Sequence, residues 1–151
     1  MSTRSEIGVE LEDNSVISIY CHSDGYLAHN GRLLKDYYNT EYLAIDLIQH
    51  NDCSFLGQTT QDSRFYNTWR NEKTKFKKFP SRREYLEEFK DHTFIEYCYL
   101  FKNGRWCVLN EFKTSISGIV KSTGHEFIPL DDLILDETIP LRLGDGLVLL
   151  S

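Results

Sequence analysis

Along residues 7–20, "IGVELEDNSVISIY", apolar positions recur every second residue from Ile7 to Leu11, and β-branched and apolar residues return after Asp13-Asn14. A period of two with β-branched residues predicts a hairpin, and Asp13-Asn14 tolerates the positive φ of a tight turn. The predicted register sets Leu11 opposite Val16 and Ile7 opposite Tyr20. The second strand runs into His22-Ser23-Asp24-Gly25, which reads as a sharp exit from the sheet. The period then lengthens to that of a helix. Leu33, Leu34, Tyr37 and Tyr38 share one face, and a second helix starts from an Asn39-Thr40 cap, buries Leu43, Ala44, Leu47 and Ile48, and ends at Asn51-Asp52.

No clean period survives in "GQTTQDSRFYNTWRNEKTKFKKF", so residues 57–80 are expected to form a long basic and aromatic loop with a helical turn at best. Order returns in "PSRREYLEEF", where Ser81 and Glu84 make a capping box ahead of Tyr85, Leu86 and Phe89. In "FIEYCYLFKNGRWCVLNEF" the Asn103-Gly104 pair demands a two-residue type I′ hairpin. Its register sets Phe101 opposite Trp106, Leu100 opposite Cys107, Tyr99 opposite Val108 and Cys98 opposite Leu109. The like-charged Glu96 and Glu111 meet where pairing frays. Both faces of this hairpin are apolar, so it either lies centrally with a layer on each side or docks one face onto a partner. Beyond Phe112, short apolar runs broken by acids, Pro and Gly suggest edge strands or a tail across the body. The expected fold is α+β: an antiparallel sheet from the N-terminal hairpin and the 94–112 hairpin, with two or three helices covering one face.

A length of 151 residues suits one domain spanning 1–151. With 40% hydrophobic and 13% aromatic residues and only three prolines the chain is expected to fold rather than to be disordered wholesale, residues 57–80 being the expected mobile segment. No apolar stretch approaches the roughly 20 residues of a membrane span, and the N-terminus lacks a signal pattern, so no membrane association and a cytoplasmic location are expected. Cys21, Cys53, Cys98 and Cys107 lack CxxC spacing and read as reduced, buried thiols. Charge is segregated. Between Arg64 and Lys90 the net is +5 in a chain of −6, and residues 126–151 form an acidic segment of −5.

Cys21, His22 and Asp24 are the residue types of an active site. Successive strand side chains point to opposite faces, so Cys21 and His22 do not pair as thiolate and base; a nucleophilic Cys21 would need His29, His50, His92 or His125 brought to it by the fold. His22 and Asp24 share a face if the segment stays extended, which suits a carboxylate holding an imidazole tautomer. Equally, Asp24 can bond turn amides and His22 a buried carbonyl. Cys98 and Cys107 fall on one face as diagonal neighbours about 7–8 Å apart, too far for an unstrained disulfide. Shared metal binding with His22 or Cys21 is an alternative, but two core thiols explain the pair better, and no metal, cofactor or phosphate-cradling loop is expected. The basic stretch interleaves Phe65, Tyr66, Trp69, Phe76 and Phe79 with Arg64, Arg70, Lys73, Lys75, Lys77 and Lys78. Three readings stand: a stacking surface for single-stranded nucleic acid, a loop anchored on a protein partner through Tyr66 and Trp69, or a solvated loop.

"SIYCHSDGYLAHNGRLLKDYYN", with "SFLG" and "EYCYLFKNGRWCV", resembles a family of small proteins common in bacteriophages and mobile elements. The resemblance covers about residues 18–108 and is sharpest at Tyr20, Cys21, His22, Asp24, Gly25 and Tyr26; a tryptophan is usual where this chain has Ser23. It implies a phage-like origin, a bacterial host cell and a fold, and no particular reaction. The functional expectation is a non-enzymatic binding protein, an inhibitor or counter-defence factor that occupies a host or defence protein or its nucleic-acid complex. Its expected partner-binding residues are Tyr66, Trp69, Arg70, Lys73, Lys75, Lys77 and Lys78. The alternatives are a small hydrolase acting on nucleotide or nucleic acid with Cys21, His22 and Asp24 at its centre, and a single-stranded nucleic-acid binder acting through residues 64–83.

Overall fold

The computed structural model describes residues 2–66, 76–90, 92–116 and 119–133, with side chains described in all of these except 110–116 and 119–125. Trp69, Arg70, Lys73, Lys75 and residues 134–151 of the acidic segment lie outside the described residues.

The fold is α+β. Strands β1 (Ser5–Glu10) and β2 (Val16–Cys21) are followed by a π-helical turn (Leu27–Gly31), helices α1 (Arg32–Tyr37) and α2 (Glu41–Gln49), and short strands β3 (Cys53–Phe55), β4 (Arg64–Phe65) and β5 (Lys77–Phe79). Helix α3 (Arg82–Phe89) precedes β6 (Tyr97–Lys102), β7 (Arg105–Ile116), β8 (Ile119–Pro129) and a 3-10 turn (Leu130–Asp132). Among the described residues the sheet runs β4-β3-β2-β1-β6-β7-β8, with β5 pairing on β2.

This sheet is mixed rather than antiparallel. β1 pairs with β6 in parallel, from Ser5 opposite Tyr97 to Val9 opposite Phe101, and β3 joins β2 in parallel at Cys53 opposite Cys21. Turn chemistry fixes the pairing within each hairpin, but the direction in which two hairpins meet depends on the crossover between them. Residues 64–65 and 77–79, expected as loop, also join the sheet, because short pieces of Arg64-Phe65 and Lys77-Lys78-Phe79 complete exposed ladders of β3 and β2.

The N-terminal hairpin is one residue out of the expected register: Glu10 faces Val16 and Ile7 faces Ile19. Its loop holds three residues, with Leu11 N donating to Ser15 O at 2.8 Å and only Asn14 at positive φ (70°). Asp13 accepts from Ser15 N at 3.0 Å and from the Ser15 hydroxyl, which favours this longer loop over a two-residue turn requiring two left-handed residues. Since a one-residue shift exchanges faces, Glu6 now lies beside Tyr20. The second hairpin has the expected register, with Asn103 and Gly104 at φ 51° and 78° and Phe101 opposite Trp106. Its ladder closes at Tyr99 opposite Val108, so Glu96 and Glu111 lie beyond it; Cys98 and Leu109 are both buried there.

Helices cover both faces, whereas one covered face was expected. On one side Ile7, Val9, Ile17, Ile19 and Tyr99 pack with Leu34 and Tyr38 beside α1 and with Ala44, Leu47 and Ile48 of α2. On the other, Val16, Cys98, Leu100, Cys107 and Leu109 pack with Tyr85 and Phe89 of α3. The central hairpin is apolar on both sides because each side has its own cover, the first of the two arrangements its pattern allowed. Buried polar tips fix the layers: Trp106 Nε1 donates to Tyr38 O and Tyr85 Oη to Tyr99 O, both at 2.8 Å. The caps are as the sequence indicates, with Thr40 Oγ1 accepting from Leu43 N and Ser81 Oγ from Arg83 N.

Candidate functional site: the polar half of one sheet face

Alternation along β2 sends Ile17, Ile19 and Cys21 into the first core and Ser18, Tyr20 and His22 to the side of α3. The apolar cluster around α3 covers only part of that side. On the remainder a polar row forms from Glu6 of β1, Ser18 and Tyr20 of β2, His22 beyond its end, Asp52 before β3 and Lys77 of β5.

Glu6 is the buried anchor of this row, with 1% of its surface exposed. Ser18 Oγ donates to Glu6 Oε2 at 2.6 Å and Lys77 Nζ donates to the same oxygen at 3.0 Å. Burial, the largest influence, pushes the Glu6 carboxyl up; the Lys77 charge and both hydrogen bonds oppose it. Asp52 is turned inward by Asn51, whose φ of 72° ends α2. Its Oδ1 accepts from Tyr20 N at 2.8 Å and lies 3.8 Å from Lys77 Nζ, while its backbone carbonyl accepts from Tyr66 N at 3.1 Å. Tyr66 and Lys77 are thus both tied to Asp52.

Tyr20 Oη sits 2.7 Å from His22 Nδ1, with the rings edge to face at 6.0 Å. Burial pushes the Tyr20 phenol up, against the adjacent Arg4 guanidinium. A phenol that keeps its proton is able to donate to Nδ1 of a neutral ring. At this end of the sheet the Tyr20 ring of β2, the His22 ring just beyond the strand and the Arg4 guanidinium thus lie together.

Cys21, His22 and Asp24 are not brought together. Cys21 is fully buried on the opposite face, where its Sγ accepts from Asn30 Nδ2 at 3.4 Å and donates to Ser23 O at 3.6 Å. Cys53 lies opposite it, and a hydrogen bond between the two thiols lowers Cys21 and raises Cys53 while burial opposes ionisation of both. Asn30, also buried, reaches Ser5 Oγ at 3.2 Å, so this cluster pins the π-helical turn to β1 and β2. Asp24 has φ 56°, which ends the extended segment that would have carried His22 and its carboxylate on one face. His22 Nδ1 meets Tyr20 instead. The strand exit expected here is present: β2 ends at Cys21, and Gly25 N donates to Thr3 O at 2.8 Å.

Of the basic residues expected to meet a partner, Lys77 is turned onto Glu6, where its charge offsets part of the burial penalty on that carboxyl. Lys78 is exposed, with its Nζ 5.7 Å from the Phe76 ring centre, and Tyr66 is half-buried. Arg4, Glu6, Ser18 and Asp52 were not among the candidates. Their signal, the polar phase Arg4-x-Glu6 and Ser18-x-Tyr20-x-His22, is present in the sequence but was not singled out. Among the described residues no three of His, Cys, Asp and Glu converge as metal ligands, and no helix is long and apolar enough to cross a membrane. In comparisons with protein-family models, curated proteins and solved structures, no match to this chain was found.

Proposed function

We propose that this protein acts by binding and occupying a macromolecular partner, and that the open polar half of the sheet face is its contact surface. The supporting observation is the division of that face: α3 and the second core seal one half, while the other carries half-exposed Tyr20 and His22 above a fixed Glu6-Ser18-Lys77-Asp52 foundation. Rigid groups on a sheet with their hydrogen bonds already made lose little entropy on binding. The three residues of the hydrolase alternative favour occupancy as well, since Cys21 is enclosed in the opposite core and His22 is bonded to Tyr20. Given the resemblance to phage and mobile-element proteins, the partner is a host or defence macromolecule, and the protein inhibits or redirects it in the host cytoplasm.

Occupancy and turnover differ in stoichiometry. Purified protein titrated into a host extract in which its effect is scored should give full effect only near equivalence with the target. Complete and continuing action at about one hundredth of equivalence would establish turnover and overturn the proposal.

A further inference from the structure

Cys21 and Cys53 are Cα partners where β3 joins β2, and both side chains are fully buried in the same core cluster. Hydrogen bonds flank the pair on each side: His22 N donates to Cys53 O at 3.0 Å and Tyr20 N to Asp52 Oδ1 at 2.8 Å, so the register around the two sulfur atoms is held. Neighbouring strands lie about 4.8 Å apart, within the Cα separation of about 4.4–6.8 Å that a disulfide spans. The other two cysteines are placed differently. Cys107 faces Leu100, which leaves Cys98 as its diagonal neighbour, out of unstrained reach. The bond from Cys53, with Asn30 Nδ2 3.4 Å from its Sγ, holds the Cys21 thiol below its usual range, while the same bond and burial push Cys53 up. One thiol is thus poised to react and the other to resolve.

We infer that Cys21 and Cys53 form a reversible disulfide in response to a hydroperoxide, and that this bond fastens the β3–β4 margin of the sheet to β2. With hydrogen peroxide, Cys21 Sγ gives up its proton and attacks one peroxide oxygen; the O–O bond breaks, the leaving hydroxide takes the proton as water, and Cys21 becomes a sulfenic acid. Cys53 Sγ then attacks that sulfur, the S–O bond breaks, and the second hydroxide leaves as water with the Cys53 proton. The two thiols lose two electrons and the peroxide gains them. The enclosure that keeps a large substrate from Cys21 bars a hydroperoxide only while the margin is closed. β3 has three residues and β4 two, so this margin opens locally at low cost. Ser23 O loses the Cys21 S–H donor on oxidation but keeps Asn30 Nδ2 at 3.5 Å, so the bond leaves no orphaned carbonyl. The closed loop contains the π-helical turn, α1 and α2, and constraining it restricts the unfolded chain. The cross-link is independent of what the opposite face of the sheet binds.

The test exposes the reduced full chain, freed of added thiol, to hydrogen peroxide at about one and about ten equivalents. Intact mass should fall by two hydrogens, and peptide mapping after alkylation should find Cys21 joined to Cys53 with Cys98 and Cys107 alkylated. The melting temperature should rise by about 5 °C or more and return when excess reducing thiol is added. Amide exchange in Cys53–Phe55 and Arg64–Phe65 should slow about ten-fold or more in the oxidised chain. Cys53→Ser should stop at a Cys21 sulfenic acid that dimedone captures, and Cys21→Ser should take up about ten-fold less dimedone at Cys53. Four thiols still free at the higher dose, a bond involving Cys98 or Cys107, a bond between chains, an oxidised chain that melts no higher, unslowed exchange at the margin, or equal dimedone uptake by the two variants would overturn the inference. Because mass, mapping, melting and exchange use the wild-type chain, a variant that fails to fold leaves the inference falsifiable.

Discussion

Glu6 is a carboxyl whose surroundings favour its neutral form, so the folded state holds the Glu6 proton more tightly than the unfolded chain does. The contribution is favourable below the ordinary carboxylate range and is lost as pH rises from about 4.5 through the raised folded value. Glu6→Gln keeps a group for Ser18 and leaves Lys77, itself 42% exposed, free to reach water. Melting temperatures measured across pH should therefore show the variant gaining on the wild type as pH rises above about 4.5; a constant difference would mean that Glu6 does not titrate in this way. The same residue shows what a sequence reading loses. Glu6 drew no attention in the sequence, because what makes it a feature is its contact with Lys77, 71 positions away in the chain. Cys21, His22 and Asp24 drew attention by residue type, yet a left-handed Asp24 and a thiol in the core separate them.

Elements whose limits are set by neighbouring residues were legible: the Ser81 cap of α3, the Thr40 cap of α2, and the Asn103-Gly104 turn. The N-terminal turn was misread by one residue because Asp13-Asn14 supports both a two- and a three-residue loop, and the choice rests on Ser15 bonding Asp13. The packing of α3 on β1 was not legible either. It depends on Gly8, where an added Cβ would lie 2.7 Å from Tyr85 Cζ and Oη. Tyr85 is fully buried and donates to Tyr99 O, so it has little room to yield. Gly8→Ala should cost about 1–3 kcal/mol in urea unfolding, with the NMR shifts of the Tyr85 ring reporting the displacement. A variant as stable as the wild type would mean that α3 can shift outward without loss.

For the whole molecule, the α+β class and both hairpins followed from periodicity and turn chemistry, and the two apolar faces of the second hairpin allowed for a cover on each side; the mixed topology did not follow, since no local signal encodes which hairpin edges meet. The resulting order places β1, β2 and β6 centrally and the two-residue β4 at a margin, paired with β3. Native-state hydrogen exchange should follow that order: amides of β1 and β6 exchange only through global unfolding, and those of β3 and β4 at lower free energy. Uniform protection across the sheet would show a single cooperative unit instead. The parallel β1–β6 ladder bears also on how the chain is made. Ser5 pairs with Tyr97, so roughly 90 residues must follow β1 off the ribosome before its second edge finds a partner. At about 5–20 residues per second that interval is on the order of 5–18 s. Throughout it the nascent chain carries a β1–β2 hairpin with apolar Ile7, Val9, Ile17 and Ile19 and an open strand edge, a template for mispairing. Folding yield during synthesis, rather than the stability of the finished domain, is where substitutions in β6 will be felt first.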